Sequence, residues 1–210
     1  MTPLTTQALV QAAHELAARD KTLAWILTTY GAPPMWARPT GFPTLVHIIL
    51  EQQVSLKSAK AMLLRLQSAI DPFRPERFVE LGDTHLRSLG VTRQKSAYLL
   101  HLSDSILNNE LSLTRLSRMS DDSVRMKLTR IKGIGSWSAD VYLLMAMRRA
   151  DIWPAGDLAL AVAAKDLLSL ERKPTPEELE TIGEKWRPYR AVAARMLWQH
   201  YLGKKSFRDG

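Results

Sequence analysis

From Leu4 to Leu202 the apolar residues of this chain return at three- and four-residue intervals, and no segment alternates with period two for long enough to make a strand. In the first stretch Leu9, Ala13, Leu16 and Ala17 share one face of a helix that Thr5 or Thr6 can cap. Breakers cut the pattern into short lengths. Asp20 caps a second helix through Trp25, Ile26 and Leu27 that Gly31 stops, and residues 31–41, with three prolines and two glycines, read as the clearest loop. Pro43 suits the first turn of a helix through Val46, Ile49 and Leu50. Ser55 caps the next, with Leu56, Ala59, Leu63 and Leu66 on one face. Shorter helices follow over Pro75 to Leu81, Asp83 to Leu89 and Thr92 to about Asn108, and later ones over Asp157 to Leu168, Thr175 to Trp186 and Pro188 to Leu202. The pattern predicts an all-α protein.

Composition narrows what such a bundle can do. At 210 residues the chain can bury one substantial core or two small lobes. It has no cysteine, which excludes disulfides, cysteine nucleophiles and cysteine-held zinc or iron–sulfur clusters. The five histidines show no metal-ligand spacing. No apolar run approaches the roughly 18 residues needed to span a bilayer, and the start, Met1-Thr2-Pro3-Leu4-Thr5, has neither the basic residues nor the apolar stretch of a signal peptide. The expectation is a cytoplasmic protein. Twenty-nine Lys and Arg against 21 Asp and Glu give a net charge of +8, which favours polyanionic partners.

Residues 128–160 carry the chemistry. Val124, Leu128 and Ile131 run at i, i+4 and i+7 into Lys132-Gly133-Ile134-Gly135-Ser136, after which Val141, Leu144 and Met145 resume an apolar stripe. Ile134 is placed to bury itself between the two helices. The glycines permit a sharp turn and close approach of a ligand to the backbone. Amides near Gly135, at a helix start, point at an anion, with Ser136 and Lys132 beside them. A Gly-x-Gly between helices is by itself an ordinary tight turn. A phosphodiester is the ligand that the basic composition suggests, and such a grip carries no sequence information. Asp157 lies 22 residues past Gly135 and opens the next helix. Its plain role is an N-cap, which contributes about 1 kcal/mol.

Four blocks in order extend this pattern: Leu45 to Ser55 with Ala59; Leu86 to Thr92 with Lys95, Tyr98 and Leu99; the hairpin through Asp157; and Trp186 to Trp198. Together, over about residues 40–200, they resemble the helix–hairpin–helix (HhH-GPD) DNA glycosylase superfamily, and within it the 3-methyladenine DNA glycosylase II branch, in a short form without the N-terminal β domain. The resemblance implies a two-lobed helical fold with a DNA-binding cleft between the lobes. One lobe would hold about residues 1–40 and 155–210, the other about 41–154 with the helix–hairpin–helix at about 121–149. It implies a monofunctional enzyme that flips out an alkylated base of the 3-methyladenine or 7-methylguanine type and hydrolyses its N-glycosidic bond, initiating base excision repair.

Asp157 matches the catalytic acid of that family. Trp137 and Trp198 match base-pocket positions, with Tyr142, Val141 and Leu158 as neighbours. Lys132, Gly133, Ile134, Gly135 and Ser136 match the DNA grip, and Gln52, Gln53 and Ser55 lie where the family inserts a wedge. Gln53 departs from the apolar residue often found there. Lyase-competent relatives have a lysine where this chain has Trp137, so no Schiff base is expected. Arg190 is left open between DNA and an internal acid. The implied partner is duplex DNA with alkylated bases, bound by a monomer without any membrane. No cofactor is implied beyond a monovalent cation on hairpin backbone carbonyls. The alternatives are a glycosylase of the same fold for a deaminated or oxidised base, or a non-enzymatic helix–hairpin–helix module.

Overall fold

The computed structural model describes residues 2–208. The described residues form twelve α-helices and one π-helical turn, with no strand among them. The chain divides into two compact units, one from its two ends (up to Ala37 and from Arg148 on) and one from Arg38–Met147. The first unit opens with α1 (Thr6–Arg19) and α2 (Lys21–Tyr30). The middle unit holds α3 (Phe42–Glu51), α4 (Leu56–Ala69), α5 (Pro75–Ser88), α6 (Arg93–Leu107), α7 (Leu113–Leu116), α8 (Asp121–Thr129) and α9 (Ser136–Val141). α9 runs directly into the π turn Tyr142–Ala146. The first unit then resumes with α10 (Leu158–Leu167), α11 (Pro176–Glu184) and α12 (Arg190–Arg208). No helix among the described residues is long and apolar enough to cross a membrane.

In the first unit α12 is the spine, with α1, α2 and α10 packed against it. Every residue from Arg190 to Trp198 is buried. A helix can be covered on all sides only where nearly all of it is apolar, and Ala191, Val192, Ala193, Ala194, Met196 and Leu197 meet that demand. The two arginines in the run need partners. Arg190 reaches both oxygens of Asp151 (3.0 and 3.1 Å) and one each of Glu180 and Glu184 (3.1 and 3.0 Å), so it serves internal acids. Asp20 joins the unit at another corner. Its Oδ1 accepts the Thr22 and Leu23 amides at the start of α2, and its Oδ2 accepts the Trp186 indole N–H at 2.9 Å.

In the middle unit α3 is the spine. Seven of its ten residues are buried, so it reads as a continuous apolar run with little polar face. The caps fall where local sequence put them: Thr5, Asp20, Ser55, Thr92, Asp157 and Thr175 each accept a backbone N–H of the helix they open. The two helices expected over 75–81 and 83–89 are both present within α5, parted at Gly82, whose φ of 68° and ψ of −178° are not helical. α7, four residues long, was not anticipated, because one turn is too short to show a period.

The borders between the units fall at Ala37/Arg38 and Met147/Arg148. Arg38 donates its amide to Met145 O and its guanidinium to Glu51, which fixes it in the middle unit. Residues 148–154 belong with the chain ends, held by Arg190 on Asp151 and by the Ala191 amide on Ala150 O.

Replacing Arg190 with Met should lower unfolding free energy by about 2 kcal/mol. That is less than the roughly 3–5 kcal/mol for a fully buried pair, because its acidic partners are partly exposed. Duplex affinity of the folded protein should be unchanged. Urea denaturation alongside a DNA titration checks this, and weakened DNA binding at unaltered stability would return Arg190 to the interface.

Candidate active site

Two residues outside the hairpin, Tyr98 and Gln52, meet its turn directly. Gly133 has φ +90°, and a Cβ there would lie 2.2 Å from Cγ of Tyr98. The Tyr98 ring therefore lies flush beneath the turn, and only glycine fits. Gln52, at the end of α3, donates its Nε2 to Gly133 O (2.7 Å) and to Ser138 Oγ (2.9 Å), tying both ends of the hairpin to α3. Lys95 donates to Leu50 O at 2.7 Å, and burial holds its ammonium below the usual lysine range. Ile134 is buried at 4 % exposure. A concavity of about 390 Å³ opens in front of this turn, lined by the hairpin together with Gln53, Gln94, Lys95 and Tyr98.

Gly135 differs from Gly133. Its φ is −91° and a Cβ would meet nothing within 4 Å, so the fold makes no demand for glycine there. It N-caps α9 without a side-chain acceptor. A residue that is small without internal need leaves room for something outside. Lys132 and Ser136 beside it are exposed. Ile131 O accepts the Ile134 amide and Gly133 O accepts Gln52, each keeping a second lone pair.

Asp157 stands in the other unit, at the start of α10. Its Oδ1 accepts the Leu160 amide at 2.9 Å and the Trp198 indole N–H at 3.0 Å. The carboxylate is 9 % exposed, under a surface where Gly156 and Leu158 are open. Trp198 comes from the buried stretch of α12 and is itself 7 % exposed. Trp36 meets it edge-on, ring centroids 6.4 Å apart at 64°. The loop carrying Trp36 is held by Arg195, fully buried, whose Nε donates to Met35 O (2.9 Å) and Nη1 to Ala191 O (3.0 Å). Burial pulls the Arg195 guanidinium down to about 10.

Several expected roles change. Gln52 is a brace, since its amide donors are committed to the hairpin, and it is not a wedge. Ser55 caps α4 through the Ser58 amide. Gln53 remains on the open turn with φ 57°, flanked by exposed Val54 and Leu56. Val141 and Tyr142 belong to the core at 2 % and 1 % exposure, and the Tyr142 hydroxyl accepts the Gly41 amide, so neither is a pocket wall. Ile134 can offer a ligand only its backbone. Trp137 is half-buried on the first turn of α9, and Leu158 is 63 % exposed. Trp36 and Arg195 were missed. A tryptophan in a breaker-rich loop and an arginine inside an apolar helical run were the signals available. Among the described residues no group of three His, Asp or Glu side chains could hold a metal.

A family model described as the HhH-GPD superfamily base excision DNA repair protein matches residues 46–188. The chain belongs to that family. A Schizosaccharomyces pombe relative of this HhH-GPD protein, the alkylbase DNA glycosidase-like protein mag2, is 32 % identical over 126 residues, 60 % of this chain and 59 % of its own length. A Bacillus subtilis DNA-3-methyladenine glycosylase is 27 % identical over 198 residues, 89 % of this chain and 65 % of its own. The chain thus spans less than two thirds of either. The solved DNA-3-methyladenine glycosidase from Bacillus halodurans has a TM-score of 0.75 at 30 % identity, covering 96 % of this chain and 93 % of that one. The S. pombe 3-methyladenine DNA glycosylase Mag1, solved in complex with abasic DNA, shares the fold with a TM-score of 0.83 at 24 % identity, covering 90 % and 95 %.

The two hairpin glycines should separate stability from binding. Gly133→Ala should cost about 2–4 kcal/mol, through the clash with Tyr98 and the positive φ. Gly135→Ala should leave stability within about 0.5 kcal/mol and weaken duplex binding. Thermal melts and DNA titrations of both variants check the contrast.

Proposed function

We propose that this chain is a monofunctional DNA glycosylase that excises alkylated bases of the 3-methyladenine and 7-methylguanine type from duplex DNA. The observation that carries the reading is the Asp157 carboxylate, oriented by the Leu160 amide and the Trp198 indole just under the surface. The family match over 46–188 supports it, as do relatives and a solved structure named for 3-methyladenine release.

The hairpin binds backbone phosphate through the amides at Gly135 and the charge of Lys132, without reading bases. The target nucleotide leaves the stack to be reached. As the C1′–N bond breaks, its electron pair departs with the base, and a cationic N-alkylated purine leaves neutral. Positive charge develops on the sugar, and the Asp157 carboxylate stabilises it from a water-poor setting. Water adds its oxygen to C1′ and gives up a proton, which the same carboxylate can accept. Trp137 stands where a lysine nucleophile would be needed, so the product is an intact abasic site. Carbonyl oxygens at Ile131 and Gly133 would hold a monovalent cation at the hairpin, where it would add positive charge next to the phosphate.

Asp157→Asn keeps a good N-cap and the acceptor for Trp198 but removes the charge. Release of methylated bases from methylated genomic DNA, followed by mass spectrometry, should fall by about 100-fold or more while duplex affinity persists. Undiminished release would remove the acid from the mechanism. Borohydride should trap no stoichiometric enzyme–DNA adduct. Duplex affinity should fall steeply with salt, and a flat response would contradict the backbone grip.

A further inference from the structure

We propose that Trp36 supplies the aromatic face against which the cationic base is held, and so sets the preference for alkylated purines; this rests on the glycosylase reading above. Three observations converge on it. The backbone of Trp36 is left-handed, with φ 46°. That region is uncommon for any side chain and an outlier for a bulky one, and a strained residue persists only where its surroundings enforce it. The enforcement is visible one residue earlier, where the buried Arg195 holds Met35 O at 2.9 Å. A buried cation committed to the loop just before a strained tryptophan fixes where that indole sits.

The second observation concerns place. The Trp36 ring abuts Trp198 edge-on at 6.4 Å, and Trp198 bonds Asp157 at 3.0 Å, so Trp36 lies one indole away from the acid. The third is availability. Trp198 is 7 % exposed and its N–H is already given to Asp157, while Val141 and Tyr142 are core. Trp36 is only half-buried. In the unit that holds Asp157 it is therefore the indole beside the acid with surface to offer. An electron-rich indole attracts a purine that carries formal positive charge and prefers it to the neutral parent base. Trp198 then orients the acid and backs Trp36, and Trp36 meets the lesion.

The test compares wild type, Trp36→Leu and Trp36→Phe. Leucine keeps apolar bulk without a π face, and phenylalanine keeps a π face. For each, kcat/KM for release of 7-methylguanine from duplex DNA is measured beside the affinity for a duplex holding an abasic-site analogue, which presents no base. Trp36→Leu should lose on the order of tenfold in kcat/KM with abasic-duplex affinity unchanged, and Trp36→Phe should recover most of the rate. Full activity in Trp36→Leu overturns the proposal. So does a parallel loss of abasic affinity, or a phenylalanine variant as impaired as the leucine one, since either marks a packing role. A wild-type protein that releases no methylated base overturns the glycosylase reading itself. An active wild type indifferent to residue 36 overturns only the inference drawn from it.

Discussion

One oxygen of Asp157 accepts two N–H groups from different helices, and the chemistry proposed for this chain depends on that pair of bonds. The Leu160 amide belongs to the helix that Asp157 opens, and the Trp198 indole comes from the spine of the same unit. The first is what any N-cap would make. The second constrains rotation of the carboxyl group about its own axis, which a cap alone leaves loose. Orientation of this kind contributes to catalysis only if the partner is itself immobile. Trp198 satisfies that condition because the helix leading up to it is buried from Arg190 through Trp198.

Buried charge does two kinds of work in this unit. Arg190 joins three acids and closes the corner between α11 and α12. Arg195 holds carbonyls, at the loop of Met35 and within its own helix at Ala191. The first arrangement fastens helices to one another. The second fastens an irregular segment, and the loop it fastens carries an aromatic ring to the acid.

Much of the architecture was legible because it is local. Helical periods and the caps Thr5, Asp20, Ser55, Thr92, Asp157 and Thr175 depend on residues within one turn of each other. The borders of the two units depend on bonds such as Arg38 to Met145 and Arg190 to Asp151, over distances in sequence that no periodicity records. The site divides in the same way. Asp157 and the two glycines stand out in the chain itself. Val141 and Tyr142 did not reveal their place, because the spacing that lines a pocket is the same spacing that fills a core. Gln52 was ambiguous for a related reason: a polar residue ending a helix can face a ligand or brace a neighbouring turn, and only the position of Gly133 O decides.

The Gln52 brace and the Tyr98 ring beneath Gly133 have a consequence for how such a protein would search a genome. A turn already shaped before contact loses little conformational entropy when it meets a phosphate, whether or not the strand is damaged. It should engage intact and damaged stretches alike, because it meets only the backbone that both share. On the function proposed, discrimination is thereby deferred from the moment of encounter to the later moment when a nucleotide swings out of the stack.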